Sequence, residues 1–365
     1  MTHEDYMRRA ISLAKKGAGH VSPNPLVGAV IVKDGQIIGE GYHMVYGDLH
    51  AERNALKNCS QDPKGATIYV TLEPCCHTGK QPPCTEALIQ AGIKTLYCGS
   101  NDPNPKVSGK GFQLLREAGL EVHTQFLKEE CDQLNDIFFH YITTGKPYVT
   151  LKYAMTLDGK IACHTGDSRW ITGSQARQDV FLDRNRYSAI LVGLGTILAD
   201  DPMLTARIPG GVDPIRILVD TNLKTPLQAK LVNTANQIPT ILATTVADPL
   251  ALTPYKEAGL KIWVLPKKDD QVDLKALVDQ AGNEGIDSIY VEGGGRIHWS
   301  FLKDNLADSL ICYIGPKLVG GSEAKTPVEG TGLSLMSKAK ELENLKVCKL
   351  GEDLKITGRL KQEDC

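Results

Sequence analysis

The stretch that decides the fold of the first half begins at His50-Ala51-Glu52 and continues, 22 residues after the glutamate, with Pro74-Cys75 and then Cys84. A histidine nitrogen and two cysteine thiolates give zinc three protein ligands and leave the fourth tetrahedral position open, which is the arrangement of a catalytic site. Glu52 lies two residues after the histidine and is expected to carry protons without binding the metal. The pattern therefore predicts a zinc enzyme that activates water.

Zinc-dependent deaminases share this His-x-Glu and Pro-Cys signature, and the present chain departs from it at one place. Eight residues, 76–83, separate Cys75 from Cys84, where the general signature has two. Three alternatives stand beside a catalytic metal: a closed structural zinc site with Cys76 or His77 as fourth ligand, a redox pair, and coincidence. The chain has no Cys-x-x-Cys, which disfavours the redox pair. The predicted strand end, the His-x-Glu motif and the predicted helix start all lie in the expected order along the chain. This order favours catalytic zinc over coincidence.

Hydrophobic periodicity and turn residues predict alternating helices and strands around this motif. Asp34-Gly35 is a two-residue hairpin signal between two β-rich runs. The predicted elements are a helix over 5–16, strands over 28–33 and 36–42, a helix over 51–57, a strand over 67–72, a helix over 83–91, a strand over 94–98 and helices over 109–118 and 127–144. This alternation indicates an α/β sheet with helices on its faces.

A glycine stop and a proline at Gly145-Lys146-Pro147 mark a domain boundary, so the expected domains are 1–145 and 146–365. The second half is predicted to be another α/β unit. Its strands are expected at 148–153, 189–193, 215–220, 240–245, 261–265, 288–291 and 310–314, with helices over 174–186 and 273–283.

The second half also carries a glycine run, Gly293-Gly294-Gly295, after a predicted strand and before an expected helix. Backbone amides at such a helix start can hold a phosphate, and a tight turn without any ligand explains the run almost equally well. The dinucleotide fingerprint Gly-x-Gly-x-x-Gly is absent, because its nearest candidate at 193–198 ends in leucine.

Composition excludes other classes of protein. With 41 basic and 43 acidic residues the net charge is −2, so no bulk attraction to nucleic acid or an anionic membrane is expected. The start of the chain lacks the apolar segment of a signal peptide, and the longest nearly apolar stretch, 189–199, is too short to span a bilayer. Ten cysteines without a secretion signal favour thiols or ligands over disulfides. These observations predict a cytoplasmic protein.

Longer motifs point to a family. In the first half they are Pro-Asn-Pro-Leu-Val-Gly (23–28), His-Ala-Glu (50–52), Glu-Pro-Cys-Cys-His-Thr-Gly-Lys-Gln-Pro-Pro-Cys (73–84) and Asp-Pro-Asn-Pro (102–105). In the second half they are Leu-Lys-Tyr-Ala-Met-Thr-Leu-Asp-Gly-Lys (151–160), Ser-Arg-Trp-Ile-Thr (168–172), Thr-Ile-Leu-Ala-Asp-Asp-Pro (196–202), Leu-Thr-Ala-Arg (204–207) and Val-Glu-Gly-Gly (291–294). Over nearly the whole chain they resemble the bifunctional deaminase and reductase family of riboflavin biosynthesis, which shares the eight-residue gap between cysteines.

The resemblance implies a cytidine-deaminase-like α/β/α sandwich followed by a dihydrofolate-reductase-like α/β domain. It implies two consecutive reactions: hydrolytic deamination of a diaminopyrimidinone ribotide, and then NADPH reduction of its ribosyl group to a ribityl chain. The implied cofactors are Zn²⁺ and NADPH, the implied partners are small-molecule substrates rather than nucleic acid or membrane, and the implied assembly is a homo-oligomer, a dimer or tetramer.

The resemblance also assigns site residues. In the deaminase half it gives zinc to His50, Cys75 and Cys84, proton transfer to Glu52, and the first substrate to Asn24, His43, His77, Lys80, Asp102 and Asn104. In the reductase half it gives NADPH to Ala154, Trp170, Thr196, Asp200, Thr221, Gly294, Gly295 and Arg296. It gives the second substrate to Ser168, Arg184, Leu204, Arg207 and Glu292, with the arginines facing a phosphate as charge-assisted donors.

Two alternative functions remain at this point. One is a zinc deaminase of nucleic-acid bases whose second half is a binding module, and the net charge of −2 counts against it. The other is a zinc-stabilised scaffold without turnover, which requires a fourth protein ligand from Cys76 or His77.

Overall fold

A computed structural model gives the fold and describes residues 1–79, 81–104 and 107–361. The chain divides into two compact units, an N-terminal unit (Met1–Gly145) and a C-terminal unit (Lys146–Cys365). Within the described ranges, every helix falls short of the length or apolar character that a membrane span requires.

The N-terminal unit is a mixed sheet with helices packed against it. The strand order is β2-β1-β3-β4-β5, in which β1 pairs antiparallel with β2 and β3, while β3, β4 and β5 run parallel. The elements are α1 (His3–Ala14), β1 (Gly28–Lys33), β2 (Gln36–Tyr42), α2 (Ala51–Lys57), β3 (Thr67–Leu72), α3 (Cys84–Gln90), β4 (Thr95–Ser100), α4 (Lys110–Glu117), β5 (Glu121–His123), α5 (Lys128–Asp132) and α6 (Asp136–Thr144).

Alternate side chains of the central strands enter separate cores on the two faces of this sheet. Ile31 and Ile68 pack with Leu88 and other residues of α2, α3 and α4. Val30 and Tyr69, one residue along in each strand, pack with α1 and Cys131. Because successive side chains of a strand point to opposite faces, the sheet lies between two helical layers. This is the α/β/α sandwich that the resemblance implies.

The hairpin prediction at Asp34-Gly35 is confirmed, because both residues have positive φ angles, 50° and 76°, as a two-residue type I′ turn requires. The prediction of one helix over 127–144 is wrong. Two helices, α5 and α6, are separated at Asn135, whose side chain is buried. Its Oδ1 accepts the Leu26 N–H at 2.8 Å and its Nδ2 donates to the Leu26 carbonyl at 3.0 Å. An asparagine committed to a distant backbone segment interrupts the helix.

The C-terminal unit contains a larger sheet, in the order β10-β9-β8-β7-β13-β6-β14-β16-β15. From β10 to β14 in this order neighbouring strands are parallel, and β14, β16 and β15 are antiparallel. The elements are β6 (Tyr148–Thr156), α7 (Ser174–Arg186), β7 (Ala189–Gly193), α8 (Leu194–Asp200), β8 (Ile215–Val219), α9 (Lys230–Asn233), β9 (Thr240–Thr244), α10 (Pro249–Glu257), β10 (Lys261–Val264), β11 (Lys267–Lys268), β12 (Gln271–Val272), α11 (Leu274–Asn283), β13 (Ser288–Val291), α12 (Gly295–Lys303), β14 (Ser309–Gly315), β15 (Leu342–Leu350) and β16 (Asp353–Leu360).

The strand order of this sheet contains a switch point between β7 and β13. From β7 the chain continues to β8 on one side, and from β13 it continues to β14 on the other side. In open α/β sheets a crevice forms at the carboxyl ends of such a strand pair, and ligands bind there. The carboxyl end of β7 is Gly193, and that of β13 leads into Glu292-Gly293-Gly294, so the glycine run lies at the switch point.

Candidate functional site

The metal ligands predicted from sequence come together in the N-terminal unit. His50 is the residue before α2, Cys75 follows the end of β3, and Cys84 is the first residue of α3. The Nδ1 atom of His50 lies 3.5 Å from the Sγ atom of each cysteine. A tetrahedral zinc with ordinary Zn–N and Zn–S bonds separates nitrogen and sulfur by about 3.6 Å. The donor set and its spacing therefore fit zinc.

The cluster contains three ligands, which leaves one tetrahedral position open. Across residues 1–79, 81–104 and 107–361, His50, Cys75 and Cys84 form the single group whose donor atoms could share a metal, all within 4.8 Å of one another. Cys76 and His77 do not join this group. The closed scaffold site considered from the sequence thus lacks its fourth ligand within the described part of the chain.

Glu52 lies beside the ligands in the first turn of α2 and is buried. Burial chiefly, together with the negative charge of Cys75, raises the pKa of Glu52 to about 6. A carboxyl group that titrates near neutral pH can take up a proton and release it again, which is the requirement for a general acid and base.

His43 and Asn24 form a hydrogen-bonded pair next to His50. The Nδ1 atom of His43 lies 3.0 Å from the Leu49 carbonyl, and its Nε2 atom lies 3.1 Å from Nδ2 of Asn24. The carbonyl can only accept, so Nδ1 carries the proton and Nε2 accepts from the amide. Burial lowers the pKa of His43, which is consistent with this neutral ring. The His43 and His50 rings meet edge to face, with centroids 5.3 Å apart.

The remaining residues assigned to the first substrate lie on two loops. Asp102 follows β4 and is buried, and its Oδ1 accepts the Asn104 N–H at 2.8 Å. Burial chiefly raises the pKa of Asp102 to about 6, with smaller contributions from the charges of Glu73 and Cys75. In the loop between the cysteines, Nδ1 of His77 is buried and has no hydrogen-bond partner among the described residues. Lys80 lies outside the described residues.

Sequence reasoning missed Arg53, which holds the loop between the cysteines. Its Nε donates to the Pro82 carbonyl at 3.1 Å, and one terminal nitrogen donates to the Pro83 carbonyl at 2.8 Å. These two carbonyls directly precede Cys84. Position 53 in the sequence reads as an ordinary helix arginine, so only its place next to Glu52 could have drawn attention to it.

In the C-terminal unit the glycine run packs closely at the switch point. A Cβ atom on Gly293 would lie 2.9 Å from the hydroxyl of Thr196, and one on Gly295 would lie 2.6 Å from Cγ of Glu329. Gly294 has a φ of 81°, which favours glycine. The run leads directly into α12, whose first turn has no side-chain cap. Exposed Gly294 and Arg296 leave backbone amides and a cation available to a phosphate, so this turn fits a nucleotide cofactor.

Arg184 and Glu292 form a buried bidentate ion pair at the same end of the sheet. Nε and a terminal nitrogen of Arg184 donate to the two carboxylate oxygens at 2.6 and 2.8 Å, and the side chains are 11% and 8% exposed. The Nζ atom of Lys152 lies 3.6 Å from the carboxylate. Burial alone would raise the pKa of Glu292, but the charges of Arg184 and Lys152 outweigh it and lower the pKa to about 2.

This ion pair changes the roles that we expect for Arg184 and Arg207. Arg184, which the resemblance assigns to a substrate phosphate, also donates to the Thr205 carbonyl at 3.0 Å, so at least three of its N–H groups already have protein partners. Arg207 is exposed, and its Nε donates to the Thr205 hydroxyl at 3.1 Å. Leu204 and Arg207 both have positive φ angles, 56° and 54°. Arg207 therefore offers the more accessible guanidinium of this loop.

The other residues assigned to the reductase site lie on separate segments of the C-terminal unit. Trp170 is 59% exposed, with the guanidinium of Arg177 4.4 Å from its ring centroid. Thr221 follows β8, and its hydroxyl accepts the Val272 N–H at 3.3 Å. Ala154 lies in β6, Ser168 in the loop after it, and Asp200 at the end of α8.

These features define a class of protein: a zinc-dependent deaminase unit joined to an α/β unit with a glycine turn at the switch point of its sheet. Family models match both units. The model described as the cytidine and deoxycytidylate deaminase zinc-binding region matches residues 1–100, and the RibD C-terminal domain model matches residues 147–356.

Curated relatives match nearly the whole chain. The riboflavin biosynthesis protein RibD of Actinobacillus pleuropneumoniae is 51% identical over 354 residues, which cover 97% of this chain and 94% of the relative. RibD of Escherichia coli strain K12 is 40% identical over 97% of this chain and 98% of its own length. The chain belongs to the RibD family of riboflavin biosynthesis proteins.

Solved structures give the same result for the fold. The diaminohydroxyphosphoribosylaminopyrimidine deaminase/5-amino-6-(5-phosphoribosylamino)uracil reductase of Thermotoga maritima is 38% identical, with a TM-score of 0.86 and 98% coverage of both chains. RibD of Acinetobacter baumannii is 36% identical, with a TM-score of 0.85, and the match covers 98% of this chain and 99% of that one. The chain is a bifunctional deaminase and reductase with Zn²⁺ and NADPH as cofactors.

Proposed function

We propose that the chain converts 2,5-diamino-6-(phosphoribosylamino)pyrimidin-4-one to 5-amino-6-(phosphoribosylamino)uracil and then reduces the ribosyl group of that product to a ribityl chain. The observation that carries the proposal is the three-ligand cluster of His50, Cys75 and Cys84 with buried Glu52 beside it. The Thermotoga relative, 38% identical, is named for the same two reactions.

In the deamination, water adds to the ring carbon that carries the amino group, and ammonia leaves as the carbonyl forms. His50, Cys75 and Cys84 would hold zinc, which would make hydroxide available from water at neutral pH. Glu52 takes the proton from the attacking water and passes it to the departing nitrogen. Its carboxyl is buried in the first turn of α2 beside the ligands, where it can accept the proton and donate it again.

The polar groups around the zinc ligands bind and orient the pyrimidine. Asn24, with one amide N–H committed to His43, keeps its carbonyl oxygen for the ring edge. Asp102 and Asn104 offer a carboxyl and an amide from the loop after β4. His77 adds its unpaired buried nitrogen from the loop between the cysteines, and Lys80 is proposed from its motif alone.

In the reduction, bound NADPH would provide the hydride, and the residues of the chain orient the cofactor and the ribotide. NADPH binding at the switch-point crevice is assigned to Thr196, Asp200, Thr221, Gly294, Gly295 and Arg296, with Ala154 and Trp170. Ser168, Leu204 and Arg207 bind the ribotide, with Arg207 at its phosphate. The buried pair of Arg184 and Glu292 holds the backbone of the Leu204–Arg207 segment through the Thr205 carbonyl.

The homo-oligomer is part of the same proposal. β15 lies at the end of the strand order in the large sheet, and Leu345 and Val347 on it are 58% and 63% exposed. Apolar side chains on a sheet edge favour a second copy as partner. A molar mass of one chain by light scattering in solution would contradict it. The cytoplasm is the proposed compartment, because no disulfide links the cysteines of the described chain.

One absorbance measurement tests both reactions. Purified zinc-loaded protein receives the aminated pyrimidine ribotide and NADPH, and the absorbance of NADPH is followed while ammonia is measured in parallel. We expect one ammonia and one oxidised NADPH per substrate. Release of ammonia without oxidation of NADPH would contradict the reductase assignment. Oxidation of NADPH only when the deaminated substrate is supplied instead would contradict the deaminase assignment.

A further inference from the structure

Glu73 has a buried carboxylate that neither binds the metal nor enters the proposed proton transfer. It follows β3 and precedes the Pro74-Cys75 motif, and it is 4% exposed. Its backbone N–H donates to the Ser100 carbonyl at 3.0 Å, so the residue is fixed to the neighbouring strand. A carboxylate is buried this deeply only when hydrogen-bond donors surround it.

Within the described part of the chain, the backbone donors to this carboxylate come from 102–104 and from 107–112. One carboxylate oxygen of Glu73 accepts the N–H groups of Asp102 at 3.4 Å and Gly109 at 3.1 Å, and the other accepts that of Gly111 at 3.1 Å. Gly109 is the residue before α4, and its helix start has no side-chain cap of its own. Glu73 therefore caps α4 from another element, where a negative charge also meets the positive end of the helix dipole.

The start of α4 packs so closely against the peptide at Pro74 that a side chain at Gly111 has no space. A Cβ atom on Gly111 would lie 2.4 Å from the Pro74 carbonyl and 3.1 Å from Oε1 of Glu73. The start of α4 thus lies directly against the peptide that leads to Cys75. A shift of the carboxylate is expected to shift Asp102 relative to the metal ligands.

We propose that Glu73 is a positioning residue of the deaminase: its carboxylate joins the segment that carries Asp102 and Asn104 to the strand end that carries Cys75, and so places the groups that bind the pyrimidine. The inference rests on the proposed substrate role of Asp102. Asn104 takes part because its N–H donates to the Asp102 carboxylate.

The first variant is Glu73→Gln, which keeps the size of the side chain and replaces one acceptor oxygen with an NH₂ group that faces N–H donors. We expect one zinc per chain, and a KM for the aminated pyrimidine raised roughly 10- to 100-fold with a smaller change in kcat, because the substrate is displaced from the reacting groups. NADPH reduction of the deaminated substrate stays at the wild-type rate. The control, Glu117→Gln at the exposed end of α4, leaves both reactions unchanged.

A double-mutant cycle then asks whether Glu73 acts through Asp102. If it does, Glu73→Gln adds little to the KM of Asp102→Ala, because coupled residues are not additive. Fully additive effects would overturn the positioning role. An unchanged KM in Asp102→Ala would show that the proposed substrate role of Asp102 has failed, and the inference would fail with it.

One set of results would overturn the positioning role of Glu73 without affecting the proposed function. An unchanged KM in zinc-loaded Glu73→Gln, with Asp102→Ala impaired, would overturn the inference and leave the proposed function standing. If Glu73→Gln purifies without zinc, Glu73→Asp is measured instead, since it keeps the charge and withdraws the oxygens by one methylene. Loss of zinc from both variants would overturn the inference, because the carboxylate would then serve the metal site or the fold.

Discussion

Two buried glutamates, one in each unit, have pKa values that are shifted in opposite directions. The pKa of Glu52 is raised to about 6 by burial and by the negative charge of Cys75, whereas the pKa of Glu292 is lowered to about 2 because Arg184 and Lys152 outweigh its burial. The environment thus suits Glu52 for gaining and losing protons and keeps Glu292 charged at neutral pH. The same residue type is suited to proton transfer in one unit and to holding a loop in the other.

The two sites also differ in whether the protein or the cofactor carries the reactive group. In the N-terminal unit the side chains themselves carry the chemistry, and three ligand atoms lie within 4.8 Å of one another. In the C-terminal unit the reactive group belongs to NADPH, and the proposed contribution of the chain is a glycine turn, exposed polar groups and a buried ion pair. Changes to the zinc ligands or to Glu52 should therefore affect the rate of deamination, and changes in the second unit should affect binding and stability.

The largest effect is expected at Glu52. Glu52→Gln removes the group proposed to move protons and should lower ammonia release by about 10²- to 10⁴-fold, the usual contribution of general acid–base catalysis. Zinc content and reduction of the deaminated substrate should not change. Ammonia measurements with metal analysis check this. Ammonia release above a tenth of the wild-type rate would remove Glu52 from the mechanism.

The next effect concerns stability. Arg184→Met leaves the Glu292 carboxylate buried with only Lys152 near it, and should destabilise the C-terminal unit by about 3–5 kcal/mol. Reductase activity should be lost at a lower temperature than in the wild type, while the deaminase activity of the same sample serves as reference. Arg186→Met, two residues along α7, is the matched control. Equal loss of both activities would contradict the assignment to one unit.

Low pH should weaken the ion pair of Arg184 and Glu292, because it protonates the carboxylate. The folded pKa of Glu292, about 2, lies below its ordinary value of 4.5, so its stabilisation is present above pH 4.5 and is lost as the pH falls from 4.5 to 2. The shift corresponds to about 3 kcal/mol. Thermal inactivation of the reductase as a function of pH checks this. In Glu292→Gln the acid-dependent loss should be smaller, and an identical pH profile would contradict the account.

A smaller effect is expected at the glycine turn. Gly293→Ala places a Cβ atom 2.9 Å from the Thr196 hydroxyl, and should raise the KM for NADPH about tenfold through overpacking. Gly195→Ala, in neighbouring α8, meets nothing within 4 Å and is the matched control. Equal KM values for the two variants would show that NADPH does not bind at this turn.

No effect on the metal is expected at Cys76. Cys76→Ser should keep one zinc per chain, because Cys76 lies outside the three-ligand group. Metal analysis after dialysis checks this. Loss of zinc would revive the closed scaffold site.

The sequence predicted the N-terminal site better than the C-terminal one for a physical reason. Zinc ligands need particular residue types, and two cysteines with a His-x-Glu motif are rare enough to be recognised. Two β-rich runs around the Asp34-Gly35 turn signal predicted the bounds of β1 and β2 correctly, and the helix expected over 51–57 matches α2. Where a distant partner decides the local structure, as Leu26 does for Asn135, periodicity failed.

The C-terminal site depends on contacts between segments that are far apart in the chain. Arg184 pairs with Glu292, 108 residues away, and nothing near either position indicates the pairing. The hairpin of β15 and β16 was missed, because β15 is exposed along most of its length and so lacks the alternation of a half-buried strand. Only the strand order showed that the glycine run lies at a switch point.

Removal and return of zinc tests the division of labour most directly. The protein is dialysed against a chelator, and ammonia release from the aminated substrate and NADPH oxidation with the deaminated substrate are measured before and after zinc is restored. The account predicts that ammonia release is lost and then recovered, while NADPH oxidation stays constant throughout. Ammonia release from the metal-free protein, or parallel loss of both activities, would contradict it.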